Sequence, residues 1–213
     1  LSNGNKGRIV IGRDTRKSGY MLESALIAGI CSVGLDVISL GVVPTPAIAY
    51  LTKKYNALAG VVISASHNPM EYNGIKFFDG NGYKLKDSIE EDIEELIYND
   101  EEISLRPIKE DIGQTIFEEN GYHYYIDYLK STINCDLKGM KIAVDCGNGA
   151  LYKIAPMLLK ELNGEIIVIN DKPNGANINL ECGSTNPSMI QSLVLETKAD
   201  IGLSFDGDGD RLI

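Results

Sequence analysis

The chain is short of positive charge. Its 213 residues hold 20 Lys and Arg against 30 Asp and Glu, a formal net charge of −10. No nucleic acid and no membrane surface is therefore expected as a partner, because both call for a basic face. Histidine is scarce, with two residues, and the four cysteines Cys31, Cys135, Cys146 and Cys182 make no CxxC pair and have no His at zinc-ligand spacing. That excludes a zinc knuckle and a disulfide framework, and it predicts reduced, mostly buried thiols in a cytoplasmic protein. No apolar run approaches the roughly 18 residues of a membrane span. No N-x-[ST] acceptor occurs, and residues 1–8 do not read as a signal peptide.

What is present is an ordinary globular composition, 44% hydrophobic and 23% charged, which rules out disorder and collagen-like repeats. The acidic excess has an address. Asp87, Glu90, Glu91, Asp92, Glu94, Glu95, Asp100, Glu101 and Glu102 crowd one short stretch with no Lys or Arg among them, and without these nine the chain is near −1. Ile89, Ile93, Leu96 and Ile97 recur among them at helical spacing, so these carboxylates read as the solvated face of an amphipathic helix rather than a cation site.

Strand-like and helix-like patterns alternate along the chain. Strands are predicted over residues 8–12, 36–40 and 59–64. Helices are predicted over 18–33, with Ser18 as N-cap, and over 46–55, opened by Pro44 and Pro46. A hairpin is predicted from 75–79 and 83–85 around Gly80-Asn81-Gly82, followed by the acidic helix over 87–98. After an irregular polar stretch and a Tyr-rich helix over 122–130, a second series begins: strand 141–145, turn 146–149, helix 151–162, strand 165–170, helix 188–197 and strand 200–205. Such alternation implies an α/β protein, with two consecutive three-layer α/β/α domains built on mainly parallel mixed sheets. The boundary falls near Phe117, dividing residues 1–117 from 118–213. Arg211-Leu212-Ile213 reads as the first step of another strand.

Four clusters could carry chemistry, each just after a strand or in a loop. Asp206, Asp208 and Asp210 alternate with glycines; carboxylates that close repel, and oxygen-only ligands in a flexible loop suit Mg²⁺ or Ca²⁺. An EF-hand start is excluded, since Arg211 stands where that loop needs Gly. A hydrated acidic turn is the plain alternative. In Ser64-Ala-Ser66-His67-Asn68-Pro69, the hydroxyls lie at the carboxyl end of a predicted parallel strand, where such sheets place their active sites, although the same residues are common turn formers. Adjacent residues of an extended segment point opposite ways, so His67 is not expected to be the simple general base for Ser66. Arg13 and Arg16 could hold a phosphate by charge-assisted hydrogen bonds, and Lys76 could serve as a cation or a proton carrier. The turn Gly147-Asn148-Gly149 lacks the third glycine of a dinucleotide loop, having Tyr152 there, and no nucleotide cofactor is expected.

Taken together, G-R-D-T-R (residues 12–16), S-A-S-H-N-P (64–69), N-G-I-K (73–76), V-D-C-G-N-G-A (144–150) and F-D-G-D-G-D-R (205–211) resemble the α-D-phosphohexomutase superfamily in order and spacing. S-G-Y-M-L-E-S-A-L (18–26) and the stretch after S-A-S-H-N-P are similar to its phosphoglucosamine mutase branch, whose enzymes interconvert glucosamine 6-phosphate and glucosamine 1-phosphate. The resemblance implies a catalytic phosphoserine at Ser66, with Ser66, Asp206, Asp208 and Asp210 around Mg²⁺. It further implies Lys76 as general acid/base, Arg211 as a ligand-orienting cation, and His67, Arg13 and Arg16 as shapers of the phosphoserine pocket. The expected substrate is a hexosamine phosphate, and the full-length enzyme is expected to be able to form a homodimer. Family members open with a T-D-G-x-R-G segment and carry two further domains after the metal loop. This chain is therefore expected to be the first half of a four-domain enzyme, unable to turn over substrate well by itself. Two rival classes remain: a binding module with a structural cation, and an aspartyl-phosphate phosphatase with Asp206 as nucleophile.

Overall fold

A computed structural model describes residues 7–98 and 106–213. The first sheet contains β1 (Arg8–Arg13), β2 (Asp36–Val42), β3 (Ala59–Ile63), β4 (Ile75–Asp79) and β5 (Thr115–Phe117), in the order β4-β3-β1-β2-β5. All neighbours are parallel except β4, which returns antiparallel along β3. The second sheet contains β6 (Lys141–Asp145), β7 (Glu165–Ile169) and β8 (Ile201–Ser204), in the order β7-β6-β8 and all parallel.

Helices cover both faces of the first sheet because its strands are apolar on both. Ile9 and Ile11 of β1 face α1 (Lys17–Ser32), which presents Leu22, Leu26, Ile27 and Ile30. Val10, between them, faces α2 (Thr45–Lys54) through Ala47, Ile48 and Leu51. In the second sheet Ile142 and Val144 pack toward Leu159 of α5 (Ile154–Glu161). The opposite face carries the paired small residues Ala143 and Gly202. A Cβ on Gly202 would come within 2.7 Å of Val194 Cγ2 and 3.0 Å of Ile190 Cγ1, so the missing side chain is what lets α6 (Ser188–Thr197) lie close.

The remaining helices differ sharply in how they are held. The acidic helix α3 (Asp87–Tyr98) has no buried residue, and Leu96, Ile97 and Tyr98 are exposed; Asp100, Glu101 and Glu102 lie outside the described residues. By contrast α4 (Tyr122–Ser131) is wedged between α2 of the first half and α5 of the second. Its Tyr125 and Ile126 join residues of β1, β2, α2 and α5 in one buried cluster, and Tyr128 stacks on Tyr50 of α2 at 4.2 Å between ring centroids. The first sheet and the α5 layer of the second thus share a hydrophobic core, while Ile142 and Val144 of the second sheet belong to a separate cluster.

Several local expectations are corrected. Ser18 does not cap α1: the N-cap is Arg16, and the Ser18 hydroxyl instead accepts a hydrogen bond from Asn73 Nδ2 at 2.9 Å. The second arm of the predicted hairpin is reduced to a single bridge, Phe78 to Lys84. Turns occupy residues 150–153, so α5 starts at Ile154 rather than at Leu151. Of the four free thiols only Cys146 and Cys182 are buried; Cys31 is half-buried and Cys135 exposed. Burial, reinforced by the Asp145 charge, pushes Cys146 up to about 12 and Cys182 up to about 11, which keeps both as unreactive thiols. The final residues pair antiparallel with β8, Ser204 and Ile213 exchanging backbone hydrogen bonds of 2.9 and 3.0 Å. Among the described residues no helix is long and apolar enough to cross a membrane.

A shared core predicts that damage to α4 is felt by the whole molecule. Ile126→Ala, at a position only 1% exposed, should cost about 2–5 kcal/mol in denaturant unfolding. Ile116→Ala, on the half-open strand β5, should cost less than about 1.5 kcal/mol. Both are checked by urea titration followed by circular dichroism.

Candidate active site

Each of the clustered loops follows the carboxyl end of a parallel strand: residues 14–16 after β1, which ends at Arg13, 64–69 after β3, 146–149 after β6 and 205–211 after β8. The β3 and β8 loops meet across the join between the sheets. There Ser66 Oγ donates to Asp206 Oδ2 at 2.8 Å and accepts from Arg211 Nη2 at 2.9 Å. Ser66 is 8% exposed and sits in the left-handed region, with φ +53°. That backbone is unfavourable for a residue with a Cβ, by about 1–2 kcal/mol, so its surroundings must hold it.

They do so mainly through carbonyl groups. Arg16, fully buried, sends Nη2 to the carbonyls of Ser66 (3.0 Å) and Asn68 (2.8 Å) and Nη1 to that of Pro69. Its Nε pairs with Asp14 Oδ2 at 2.9 Å. Asp14 also accepts from the Ser64 hydroxyl at 2.6 Å, and that hydroxyl in turn accepts from the Ser66 amide at 2.9 Å. Burial pushes the Asp14 carboxyl up, while the Ser64 hydroxyl and the Arg16 guanidinium pull against it. From the second sheet's side, Asn179 Nδ2 reaches the same two carbonyls, Ser66 at 2.9 Å and Asn68 at 3.2 Å. Gly207 permits this closeness, since a Cβ there would stand 2.6 Å from the Ser66 oxygen and 2.7 Å from Asn179 Nδ2.

The three aspartates each offer an oxygen within 4.8 Å of the others, with Asp206 and Asp208 buried and Asp210 exposed. Lys76 Nζ bridges Asp208 Oδ2 (2.8 Å) and Asp210 Oδ2 (3.7 Å). Arg211 Nε lies 3.4 Å from both Asp206 Oδ2 and Asp210 Oδ1. Burial, together with the Asp208 and Asp210 charges, raises Asp206 to about 6, although bonds from Ser66 and the Arg211 amide oppose the shift. Burial pushes Asp208 the same way, but hydrogen bonds from Lys76 and Thr45 outweigh it and hold that carboxyl below its usual value. One atom is left over: Asp208 Oδ1 is buried with no hydrogen-bond partner. An all-oxygen cluster with an orphaned buried carboxylate oxygen fits a hard divalent cation.

The other candidates fall in two places. His67 Nδ1 lies 2.7 Å from Arg211 Nη2, beside Ser66 but turned to the arginine. Arg13 is directed away from the serine loop: Nε pairs with Glu23 at 2.8 Å and the guanidinium lies 3.6 Å from the Tyr20 ring centroid. It lines a cavity of about 400 Å³ with Tyr20, Lys17 and Tyr152. Arg16 corrects an expectation, because its donors are occupied by protein carbonyls and Asp14 inside the fold. It braces the serine loop and has no face open to a phosphate. Sequence reasoning did not single out Thr45 or Asn179. Thr45, which donates to Asp208 Oδ2 at 2.7 Å, and Asn179 are 163 and 113 residues from their partners.

The models for the phosphoglucomutase/phosphomannomutase α/β/α domains I and II match residues 1–104 and 123–213. The chain belongs to the phosphoglucomutase/phosphomannomutase family. Family relatives include the phosphoglucosamine mutases of Alkaliphilus oremlandii, 58% identical over 99% of this chain and 47% of that protein, and of Clostridioides difficile, 57% identical over 97% and 46%. A phosphoglucomutase/phosphomannomutase family structure from Burkholderia thailandensis superimposes with a TM-score of 0.77 at 28% identity, covering 97% of this chain and 45% of that one. The chain spans about half the length of the relatives it matches.

The raised Asp206 carboxyl has a measurable consequence. Its folded value of about 6 lies above the ordinary 3.8, so the folded protein loses stability as pH rises from about 4 through 6, when the buried group must ionise. Asp206→Asn removes that cost. Without divalent cations, the variant should be more stable than the parent at pH 8 by on the order of 1–3 kcal/mol, and the gap should close near pH 4. Thermal melts in chelator-treated buffer across this range check it.

Proposed function

We propose that this chain carries the phosphoserine and metal-binding half of a phosphoglucosamine mutase, divided into domains at residue 117, which interconverts glucosamine 6-phosphate and glucosamine 1-phosphate. The observation that carries the reading is Ser66 Oγ, held at 2.8 Å from Asp206 and 2.9 Å from Arg211 by loops from two different sheets. The identity of 58% to a phosphoglucosamine mutase supports the sugar class.

In this reading Ser66 is carried as phosphoserine, and its phosphate adds about −1.5 to −2 charge beside three carboxylates. Arg211 and Lys76, already among those carboxylates, offset part of it. Ser66 together with Asp206, Asp208 and Asp210 would hold Mg²⁺, which supplies charge stabilisation to the phosphoryl oxygens when bound. Transfer forms a bond from phosphorus to a sugar hydroxyl oxygen as the bond to Ser66 Oγ breaks. Lys76 relays the proton: its ammonium, which donates to Asp208, gives up one proton as it takes the one the sugar hydroxyl releases, and Ser66 Oγ takes up the proton given, returning to the donor state it has beside Asp206. The bisphosphorylated sugar then turns and gives its other phosphate back to Ser66 by the reverse exchange. Arg211 orients the phosphoryl group, His67 keeps the Arg211 guanidinium beside Ser66, Arg16 braces the loop, and Arg13 lines the neighbouring cavity.

Ser66→Ala in the full-length protein should lower interconversion by at least about 1,000-fold while the melting temperature stays close to that of the parent. Near-normal turnover in that variant would overturn the reading. Assays of the parent against glucosamine, glucose and mannose phosphates separate a phosphoglucosamine mutase from a phosphomannomutase or phosphoglucomutase of the same superfamily. Phosphate trapped on Asp206 instead of Ser66 would favour an aspartyl-phosphate enzyme.

A further inference from the structure

We infer that Thr45 is a positioning residue for the cation site: it commits one oxygen of Asp208 to the protein so that the other is left to the metal. The inference rests on the metal-site part of the function proposed above.

Asp208 is 1% exposed, so its carboxylate cannot turn to water for partners. The two side chains that donate to it within hydrogen-bond distance bind the same oxygen: Thr45 Oγ1 at 2.7 Å and Lys76 Nζ at 2.8 Å meet at Oδ2. Oδ1 receives none. A buried carboxylate with two donors on one oxygen and none on the other would ordinarily relieve the imbalance by rotating about its Cβ–Cγ bond and sharing them. Thr45 prevents this sharing, because it is fixed from two directions. Its backbone amide donates to the Asp208 carbonyl at 2.9 Å, and it opens α2 between Pro44 and Pro46, whose rings limit the local backbone. The hydroxyl and the amide of one residue therefore grip the side chain and the main chain of Asp208 together.

Lys76 cannot do this work alone. Its side chain is 39% exposed, and it is shared with Asp210, so it is free to follow phosphate or sugar as the site fills. Thr45 is 8% exposed and has no such alternative. Groups that orient a metal ligand without touching the metal commonly contribute 10- to 100-fold in affinity, and the orphaned oxygen marks Asp208 as the ligand whose orientation is set this way.

The test is Mg²⁺ and Mn²⁺ titration of the full-length protein by calorimetry, with Mn²⁺ binding also read by electron paramagnetic resonance. Ser66 is kept unphosphorylated, as verified by intact mass. Thr45→Val keeps the shape and removes the hydroxyl, and it should weaken both metals by about 10-fold or more. Thr45→Ser retains the hydroxyl and should bind within about threefold of the parent, a rescue that a purely packing role would not produce. If Thr45→Val does not fold, Thr45→Ala and Thr45→Ser are compared in its place. Equal affinity in parent and Thr45→Val, with the parent binding metal, overturns the role of Thr45 alone. A parent that binds neither metal at millimolar concentration overturns the cation site as well.

Discussion

Three carboxylates within 4.8 Å of one another, two of them buried, are a constraint that much of the structure around them exists to satisfy. Like charges at that spacing repel by about 3–4 kcal/mol per pair at an intermediate dielectric. The fold answers with position-specific partners. Asp208 is given Thr45 and Lys76, Asp206 is given Ser66 and the backbone amides of Asp210 and Arg211, and Asp210 stays near water. The three residues, alike in sequence, are thereby made chemically unlike. One carboxyl lies above its ordinary value and one below it, as expected where a site must accept a cation without collapsing around its own side chains.

The second requirement is that a serine from one sheet stay beside an aspartate from the other. Two side chains of different origin converge on the carbonyls of Ser66 and Asn68: Arg16 from beneath the serine loop and Asn179 from the second sheet's loops. Arg16 keeps its charge in the interior only because Asp14 is paired with it, and removing either partner would leave the other uncompensated. The left-handed backbone of Ser66 is sustained by this network. Its strain and its hydroxyl's direction are therefore a single structural fact.

Much of the architecture was legible in the sequence because it depends on short-range pattern. The acidic helix and β6 appear at their expected residues, since Ile89 and Ile93 repeat at helical spacing and K-I-A-V-D is a short apolar run after a polar loop. The serine and aspartate motifs were legible as local chemistry. What was not legible depends on contact across the chain. Thr45 looked like a residue between two prolines and Asn179 like one more loop asparagine, because nothing nearby in sequence signals a partner more than a hundred residues away. Arg16 departs from only part of its expectation: an arginine in G-R-D-T-R suggests direct contact with an anion, whereas burial turns its donors onto the carbonyls of the serine loop. Ser18 failed as a cap because Asn73, from another loop, claimed its hydroxyl.

The wedge formed by α4 bears on how a two-step transfer could work. With Tyr125 and Ile126 embedded between α2 and α5, helices that pack on different sheets, opening the serine loop away from the aspartate loop would expose the interior that the two halves share. In the proposed cycle the donor and its charge-neutralising partners therefore form a fixed anvil. The half-turn between the two transfers belongs to the sugar, which must leave its contacts and find them again in reverse while the protein beneath it holds still.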